Sequence, residues 1–252
     1  MDKAKTASYF SESLARGLQV VCAFANAEKL RIAEVVQHTG LSRAAVRRYL
    51  LTLQDLGYIG CDGDWFYLKP RVLELGYGYK SSASLSILAE AQVIALADRT
   101  REASTFAVLD RTDVLVVTRA TKRSWDLTMR AGNRMPVLST SLGHVLLAWL
   151  PPTQLDQIAD RCGLSKSANI SLRKNLLLTK KNGFSYMVRE EQPQFVAIAV
   201  PIMDRHQKVV GALNITSAPM LSKAAAVRTL LPLLEDAKLQ IEAGLKSINV
   251  AP

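Results

Sequence analysis

Cysteine, histidine, acidic residues and long apolar runs are all in short supply in this 252-residue chain. Its three cysteines, Cys22, Cys61 and Cys162, are far apart and lack a CxxC spacing. An odd, scattered set supports neither a disulfide framework nor a zinc cage, and it suits a reducing cytoplasm. The three histidines, His38, His144 and His206, fall in different segments, without an HExxH, GxSxG or phosphate-loop motif. The convergent acids, bases and nucleophiles of an enzyme are therefore not indicated, and no catalytic residue, metal or cofactor is expected. The longest apolar runs, such as VLLAWL at 145–150, are too short to span a bilayer, and no apolar leader follows a basic start. A soluble, unexported, cytoplasmic protein without a membrane partner is expected. With only 9 prolines and 13 glycines, and 49% hydrophobic against 21% charged residues, the composition excludes disorder. The length suits two domains.

The shortage of acids leaves 32 Lys and Arg against 22 Asp and Glu, a formal charge of +10. That balance favours a polyanionic partner or an anionic ligand. The first 80 residues hold 11 basic and 8 acidic residues and the remainder 21 and 14, so the excess is not concentrated in one place. The spacing of particular arginines must carry a nucleic-acid reading.

In the first eighty residues, Ser13 is expected to cap a helix through LARGLQVVCAFANA, with Leu14, Leu18, Val21, Cys22 and Ala25 as its inward stripe. A second helix over 30–38 turns Ile32, Val35 and Val36 inward and ends at Thr39-Gly40. The stretch LSRAAVRRYLLTLQDLGYI then opens a third helix capped by Ser42, with Val46, Leu50 and Leu53 inward. Arg43, Ala44, Arg47 and Arg48 are left on the other side. Small and basic residues near the start of the second of two helices joined by a tight glycine turn are the helix-turn-helix arrangement. Small side chains let the backbone approach a groove, and arginine can pair with guanine edges or neutralise phosphate. A solvated arginine face is the plainer reading of this helix in isolation. Strand-like runs at 58–61 and 65–68 around Asp62-Gly63-Asp64 form a hairpin, which completes a winged helix-turn-helix. Its acidic tip would repel phosphate, so the wing is expected to pack on its own domain and to reach DNA only through Lys69 or Arg71.

Pro70 can begin a weak helix, and Ser-Ser-Ala-Ser at 81–84 reads as a hinge before the apolar helix 85–99. Beyond it the pattern predicts strands at 104–110, 113–120 and 124–130, and helices at 140–150, 153–162 and 171–182. Strands at 184–188, 195–203 and 208–217 follow, then one long helix over 222–248. The class is α+β, an antiparallel sheet flanked by helices. Ser139-Thr140-Ser141 precedes a helix, which makes either an anion site or ordinary capping by Thr140. Asn214 and Thr216 alternate with Leu213 and Ile215, which places two polar side chains on one face of a strand apolar enough to be buried.

The runs SLARGLQVV, TGLS, VRRYLLTL and LKPRVLELG resemble the isocitrate lyase regulator (IclR) family of bacterial transcription factors. So do AVLDRTDVLVVTRA (107–120), RMPVLSTSLGHVLLAWLP (134–151) and FVAIAVPIMDRHQKVVGALNITSA (195–218), and the likeness covers nearly the whole chain. The residues RRYLLTL (47–53), Ser81-Ser82 and AIAVPIMDR are most similar to regulators of aromatic-acid catabolism, those answering to protocatechuate, para-hydroxybenzoate or β-ketoadipate. The resemblance implies a winged helix-turn-helix over 1–70, a helical linker over 71–100 and a GAF-like effector-binding and oligomerisation domain over 101–252. It implies DNA contacts at Ser42, Arg43, Ala44, Arg47 and Arg48. Carried over position by position, the effector site comprises Trp125, Met135, Ser141, Leu142, Met187, Phe195, Asn214 and Thr216. The chain departs from the family at Val36, Met187-Val188 and Gln194-Phe195-Val196. The expected partners are a pseudopalindromic double-stranded operator, a small carboxylate effector and further copies of the chain, as a dimer assembling to a tetramer. The alternative is a small-molecule-sensing scaffold that does not bind specific DNA.

Overall fold

A computed structural model describes residues 9–25, 27–77, 84–123, 129–188, 195–217 and 221–248. The chain divides into two compact units, Met1–Lys80 and Ser81–Pro252. The first begins with α1 (Glu12–Cys22), whose N-cap is Ser11, its side chain accepting from the Leu14 amide at 3.4 Å, rather than Ser13. The inward stripe also differs from the sequence reading. Leu14 and Leu18 are 64% and 50% exposed, while Val20 and Phe24 enter the core. Apolar residues lie on more than one side of this helix, so periodicity did not decide which side meets its neighbours.

Helices α2 (Ile32–Thr39) and α3 (Arg43–Asp55) follow, separated by Gly40, whose φ of 67° is the left-handed turn that glycine adopts without a Cβ clash. Val35, Val46 and Leu50 are wholly buried and hold the helices together. Strands β1 (Ile59–Asp62) and β2 (Trp65–Leu68) form the hairpin, in antiparallel register from Ile59↔Leu68 to Asp62↔Trp65. Leu30 pairs with Phe66 at its side and anchors the wing to the helices. One acid of the tip is paired with the helical part of the unit, since Asp62 accepts from Lys29 at 3.0 Å. Arg71 folds back as well, donating to the Leu56 carbonyl at 2.9 Å and lying over the Tyr58 ring. The helix expected after Pro70 opens as a 3-10 turn, Pro70–Leu73, and residues 74–77 continue it as α-helix. Residues 78–83, with most of the expected hinge, lie outside the described residues.

In the second unit, α4 (Ser84–Thr100) leads into a six-stranded sheet of order β5-β4-β3-β8-β7-β6, antiparallel throughout. Its strands are β3 (Ala103–Asp110), β4 (Asp113–Ala120), β5 (Arg134–Pro136), β6 (Ser185–Val188), β7 (Val196–Met203) and β8 (Val209–Ser217). Between β5 and β6 run α5 (Ser141–Ala148), α6 (Pro152–Arg161) and α7 (Lys166–Asn182). The long terminal helix of the sequence reading is two helices, α8 (Lys223–Thr229) and α9 (Leu231–Ile248). Pro232 has no amide to continue the hydrogen-bond ladder, which accounts for the break. The expected strand at 124–130 falls mostly outside the described residues, and Met129 and Arg130 are not in a strand. Strand β5, not among the strands expected from sequence, is pinned by Arg134, which bonds Asp110 at 2.5 Å and Asp113 at 3.1 Å.

Strand alternation sorts the core into two layers. Phe106, Ile198, Val200, Leu213 and Ile215 face α4, α8 and α9. Ala107, Ala199 and Ala212 face α5, α6 and α7, where small side chains let the helices approach. Leu230, Leu234, Ala237 and Ile241 bury the terminal apolar stripe in the first layer.

Candidate functional site

In the first unit, the Ser42 hydroxyl accepts from the Ala45 amide at 3.3 Å and sets the start of α3. Ser42, Arg43, Ala44, Arg47 and Arg48 are all exposed, whereas Val46, Tyr49 and Leu50 are buried beneath them. Arg48 lies over the Tyr49 ring at 5.4 Å. Neither Arg43 nor Arg47 makes an ion pair among the described residues, so their charges face water. In the same unit Arg31 stacks on Trp65 of the wing at 4.3 Å. Chemically this is a helix N-terminus flanked by cations, suited to phosphate and to base edges.

The second unit contains a cavity between the small-residue face of the sheet and the start of α5. Its floor runs across five strands. Arg119 of β4 pairs with Thr105 of β3, which pairs with Asn214 of β8. Two residues further along β8, on the same face, Thr216 pairs with Ala197 of β7, and Ala197 with Met187 of β6. The roof is Ser139, Thr140, Ser141 and Leu142, with Met129 and Met135 at the side. A water-sized sphere sweeps about 50 Å³ inside it, several times the ~10–15 Å³ needed for a single water. A wider groove toward α7, about 520 Å³, shares Met135, Ser139, Thr140 and Met187 with it.

Of the effector residues expected from sequence, Met135, Ser141, Leu142, Met187, Asn214 and Thr216 line this cavity together. Phe195 is buried but does not line it, because it stands one residue before the last rung, Val196↔Ser217. Trp125 and Gln194 lie outside the described residues. The sequence reading missed Thr105, Arg119, Met129, Val188 and Ala197 as lining residues. The one available signal for Arg119 was a lone cation near the end of the apolar run VLVVTRA.

Ser141 Oγ and Asn214 Oδ1 are among the buried lining atoms that have no hydrogen-bond partner in the described residues. Their residues are only 2% and 5% exposed. Thr140 does act as a cap, accepting from the Gly143 amide at 3.0 Å, while other amides of the first turn have no intrahelical acceptor. Gly143 is required here, since a Cβ would fall 1.8 Å from the Val137 carbonyl oxygen. His144 in the same turn donates from Nε2 to the Leu138 carbonyl at 3.0 Å. Burial lowers its pKa below the ordinary histidine value, against a smaller opposing effect of that bond. Among the described residues, no three of His, Cys, Asp and Glu gather as a metal site, and no helix is long and apolar enough to cross a membrane.

A winged helix-turn-helix with exposed arginines in one unit and a cavity of mixed polar and apolar lining in the other are the two parts of a ligand-responsive DNA-binding regulator of transcription. The IclR helix-turn-helix domain matches residues 13–63, and the C-terminal domain of the bacterial transcriptional regulator IclR matches 78–243. The chain belongs to the IclR family. The Pca regulon regulatory protein of Pseudomonas putida is 34% identical over 235 residues, 89% of this chain and 81% of that protein. The p-hydroxybenzoate hydroxylase transcriptional activator of Acinetobacter baylyi is 31% identical over 229 residues, 86% and 84% of the two chains. These relatives are named as transcriptional regulators, not as enzymes. A transcriptional regulator from Rhodococcus sp. RHA1 has the same fold, with a TM-score of 0.80 and 32% identity over 95% of this chain and 100% of that one. An IclR homologue from Microbacterium hydrocarbonoxydans, solved with 4-hydroxybenzoate, superposes equally well (TM-score 0.80) at 21% identity, over 94% and 100% of the chains, a likeness of fold alone.

Proposed function

We propose that this regulator controls genes for the breakdown of aromatic acids, and that a small aromatic carboxylate in the second-unit cavity changes its hold on DNA. The chain acts as a homodimer, assembling to a tetramer, and sets two α3 helices in successive major grooves of a pseudopalindrome, about 34 Å apart. Arg43, Arg47 and Arg48 reach bases and phosphates, while Ser42 and Ala44 allow close approach. Residues 1–70 serve as the reading domain, 71–100 as the linker and 101–252 as the sensor. Support for the aromatic class comes from the two relatives, one named for a Pca regulon and one for p-hydroxybenzoate hydroxylase.

The observation that carries the ligand reading is the pair of buried, unpartnered polar atoms, Ser141 Oγ and Asn214 Oδ1, in one cavity. Leaving such groups without partners costs about 1–3 kcal/mol each, a cost a ligand removes. Met135, Met187 and Leu142 supply apolar walls for a ring, and the start of α5 with Ser141 receives the carboxylate. The ligand acts by binding more tightly to one DNA-competence state than to the other.

The test is a mobility-shift titration of the promoter DNA upstream of the regulated genes, with and without benzoate-class acids. The acid should shift the DNA midpoint severalfold for the wild type, and Ser141→Leu should bind DNA without that shift. A Ser141→Leu protein that still responds would remove the effector from this cavity.

A further inference from the structure

Helix α4 and the cavity lie on opposite faces of the sheet. Ala89, Val93 and Leu96 pack α4 into the layer of Phe106, Leu213 and Ile215, whereas the cavity opens on the small-residue face. Among the described residues, no side chain of α4 lines the cavity. Yet α4 is the first element of the second unit, starting at Ser84 soon after the first unit ends at Lys80. Any signal that travels along the chain from the sensor to the DNA-binding unit passes through it.

The two faces communicate at one end of the sheet. There the start of β3 lies between the ends of β4 and β8, in the pairs Ser104↔Ala120 and Ala103↔Thr216. Glu102, between α4 and β3, is only 8% exposed, and its carboxylate takes both neighbours. Its Oε1 accepts from Arg123 Nη2 at 2.7 Å and from Ser217 Oγ at 3.2 Å, and its Oε2 accepts from Arg123 Nε at 3.3 Å. The corner itself is sharply set, with Arg101 left-handed at a φ of 60° and the Thr100 hydroxyl accepting from the Glu102 amide at 3.2 Å. In the last turn of α4, Asp98 holds the adjacent cation, Lys122, at 2.7 Å. The end of α4 thus grips two consecutive basic residues beyond β4 and the last residue of β8. Both strands carry cavity lining close by, Arg119 near the end of β4 and Thr216 beside Ser217.

An ion pair taken out of water adds little stability over apolar side chains of the same size. What it adds is direction, since the fork of an arginine meets two carboxylate oxygens in one orientation. We infer that Asp98 and Glu102 form a clasp between α4 and the cavity floor, with Glu102 the positioning residue through which effector occupancy reaches the DNA-binding unit. A shift of β4 or β8 at the cavity arrives at this carboxylate and turns the end of a helix of 17 residues, a rod about 25 Å long. The Asp98–Lys122 pair, about half open to water, contributes less than the Glu102–Arg123 pair. The inference rests on the effector reading above, though not on which acid the cavity takes.

The test is the factor by which saturating acid changes the DNA affinity of the full-length protein. Mobility shift measures it with whichever of benzoate, 4-hydroxybenzoate and protocatechuate moves the wild type most. Glu102→Gln should keep both the acid affinity, by isothermal titration, and the acid-free DNA affinity to within about twofold, while the coupling factor falls from severalfold to near one. Asp98→Lys, at an exposed site, should reduce the factor by about twofold without lowering the melting temperature, and adding Lys122→Asp should restore it. An undiminished factor in folded Glu102→Gln overturns the clasp and leaves the effector reading intact. So does a loss of acid affinity in that variant, because Glu102 would then shape the cavity instead of relaying its state. If Glu102→Gln does not fold, an undiminished factor in Asp98→Lys overturns the clasp in its place. A wild type that answers to none of the acids overturns the effector reading and the clasp together.

Discussion

The start of α3 and the start of α5 are built alike and used in opposite ways. Each is capped by a hydroxyl, Ser42 for α3 and Thr140 for α5, and each carries two small residues in its first turn, Ala44 and Ala45 in the one and Ser141 and Gly143 in the other. Around α3 the cap faces water and the neighbouring charges are exposed, so a large polyanion can approach from outside. Around α5 the first turn is buried against a sheet, and the polar groups that line the cavity are few, with Arg119 the one charged side chain among the described residues. One is suited to long-range attraction that salt screens, the other to a closed set of short hydrogen bonds. A helix N-terminus therefore acquires its role from what surrounds it.

That contrast can be broken at several points. The largest effect is expected from Leu50→Ala, which empties the wholly buried seam behind the arginines. Urea unfolding should show a loss of about 2–5 kcal/mol and a collapse of operator binding, with acid binding retained by the second unit. Gly143→Ala attacks the other helix start, where the added methyl meets a backbone carbonyl that cannot move aside as a side chain would. Thermal unfolding should report about 1–3 kcal/mol, and acid binding should be lost. Arg47→Ala should leave the melting temperature unchanged, because the side chain is exposed. Operator affinity should drop by about 1–3 kcal/mol if Arg47 reads a base; a uniform loss across sequences, with the salt slope reduced by about one, would make it a phosphate contact.

The smallest effect concerns His144. Its folded pKa lies below the unfolded value, so the unfolded chain takes up the proton first as pH falls. Its contribution to stability is complete above the ordinary histidine pKa and declines as pH drops toward the lowered value. The slope is at most about 1.4 kcal/mol per pH unit for one proton. Melting curves between pH 8 and pH 5 should show it in the wild type and a shallower one in His144→Gln; equal slopes would assign the loss to other groups.

The two regions were also unequally legible in the sequence. The arginine face of α3 is local, because Ser42, the turn at Gly40 and the Val46–Leu50 spacing all lie within a dozen residues. The cavity is not local. Asn214 and Thr216 were legible as polar positions alternating within one apolar strand, and Ser139-Thr140-Ser141 as a helix start. Arg119 and Thr105 became neighbours of Asn214 only through the register of three strands, which a single segment does not contain. The first helix shows a further limit. Its apolar positions admit two faces, and the buried one, Val20 with Phe24, was chosen by contacts made elsewhere in the chain. At the other end of the sequence, an unbroken apolar stripe concealed the interruption before Pro232.

The close seating of Gly143 on the Val137 carbonyl has a mechanical consequence. With no slack between them, the 3-10 turn at Val137–Ser139 and the first turn of α5 cannot slide past one another. A displacement of Ser139 or Ser141 would therefore carry the other with it, since the contact between turn and helix has no room to compress.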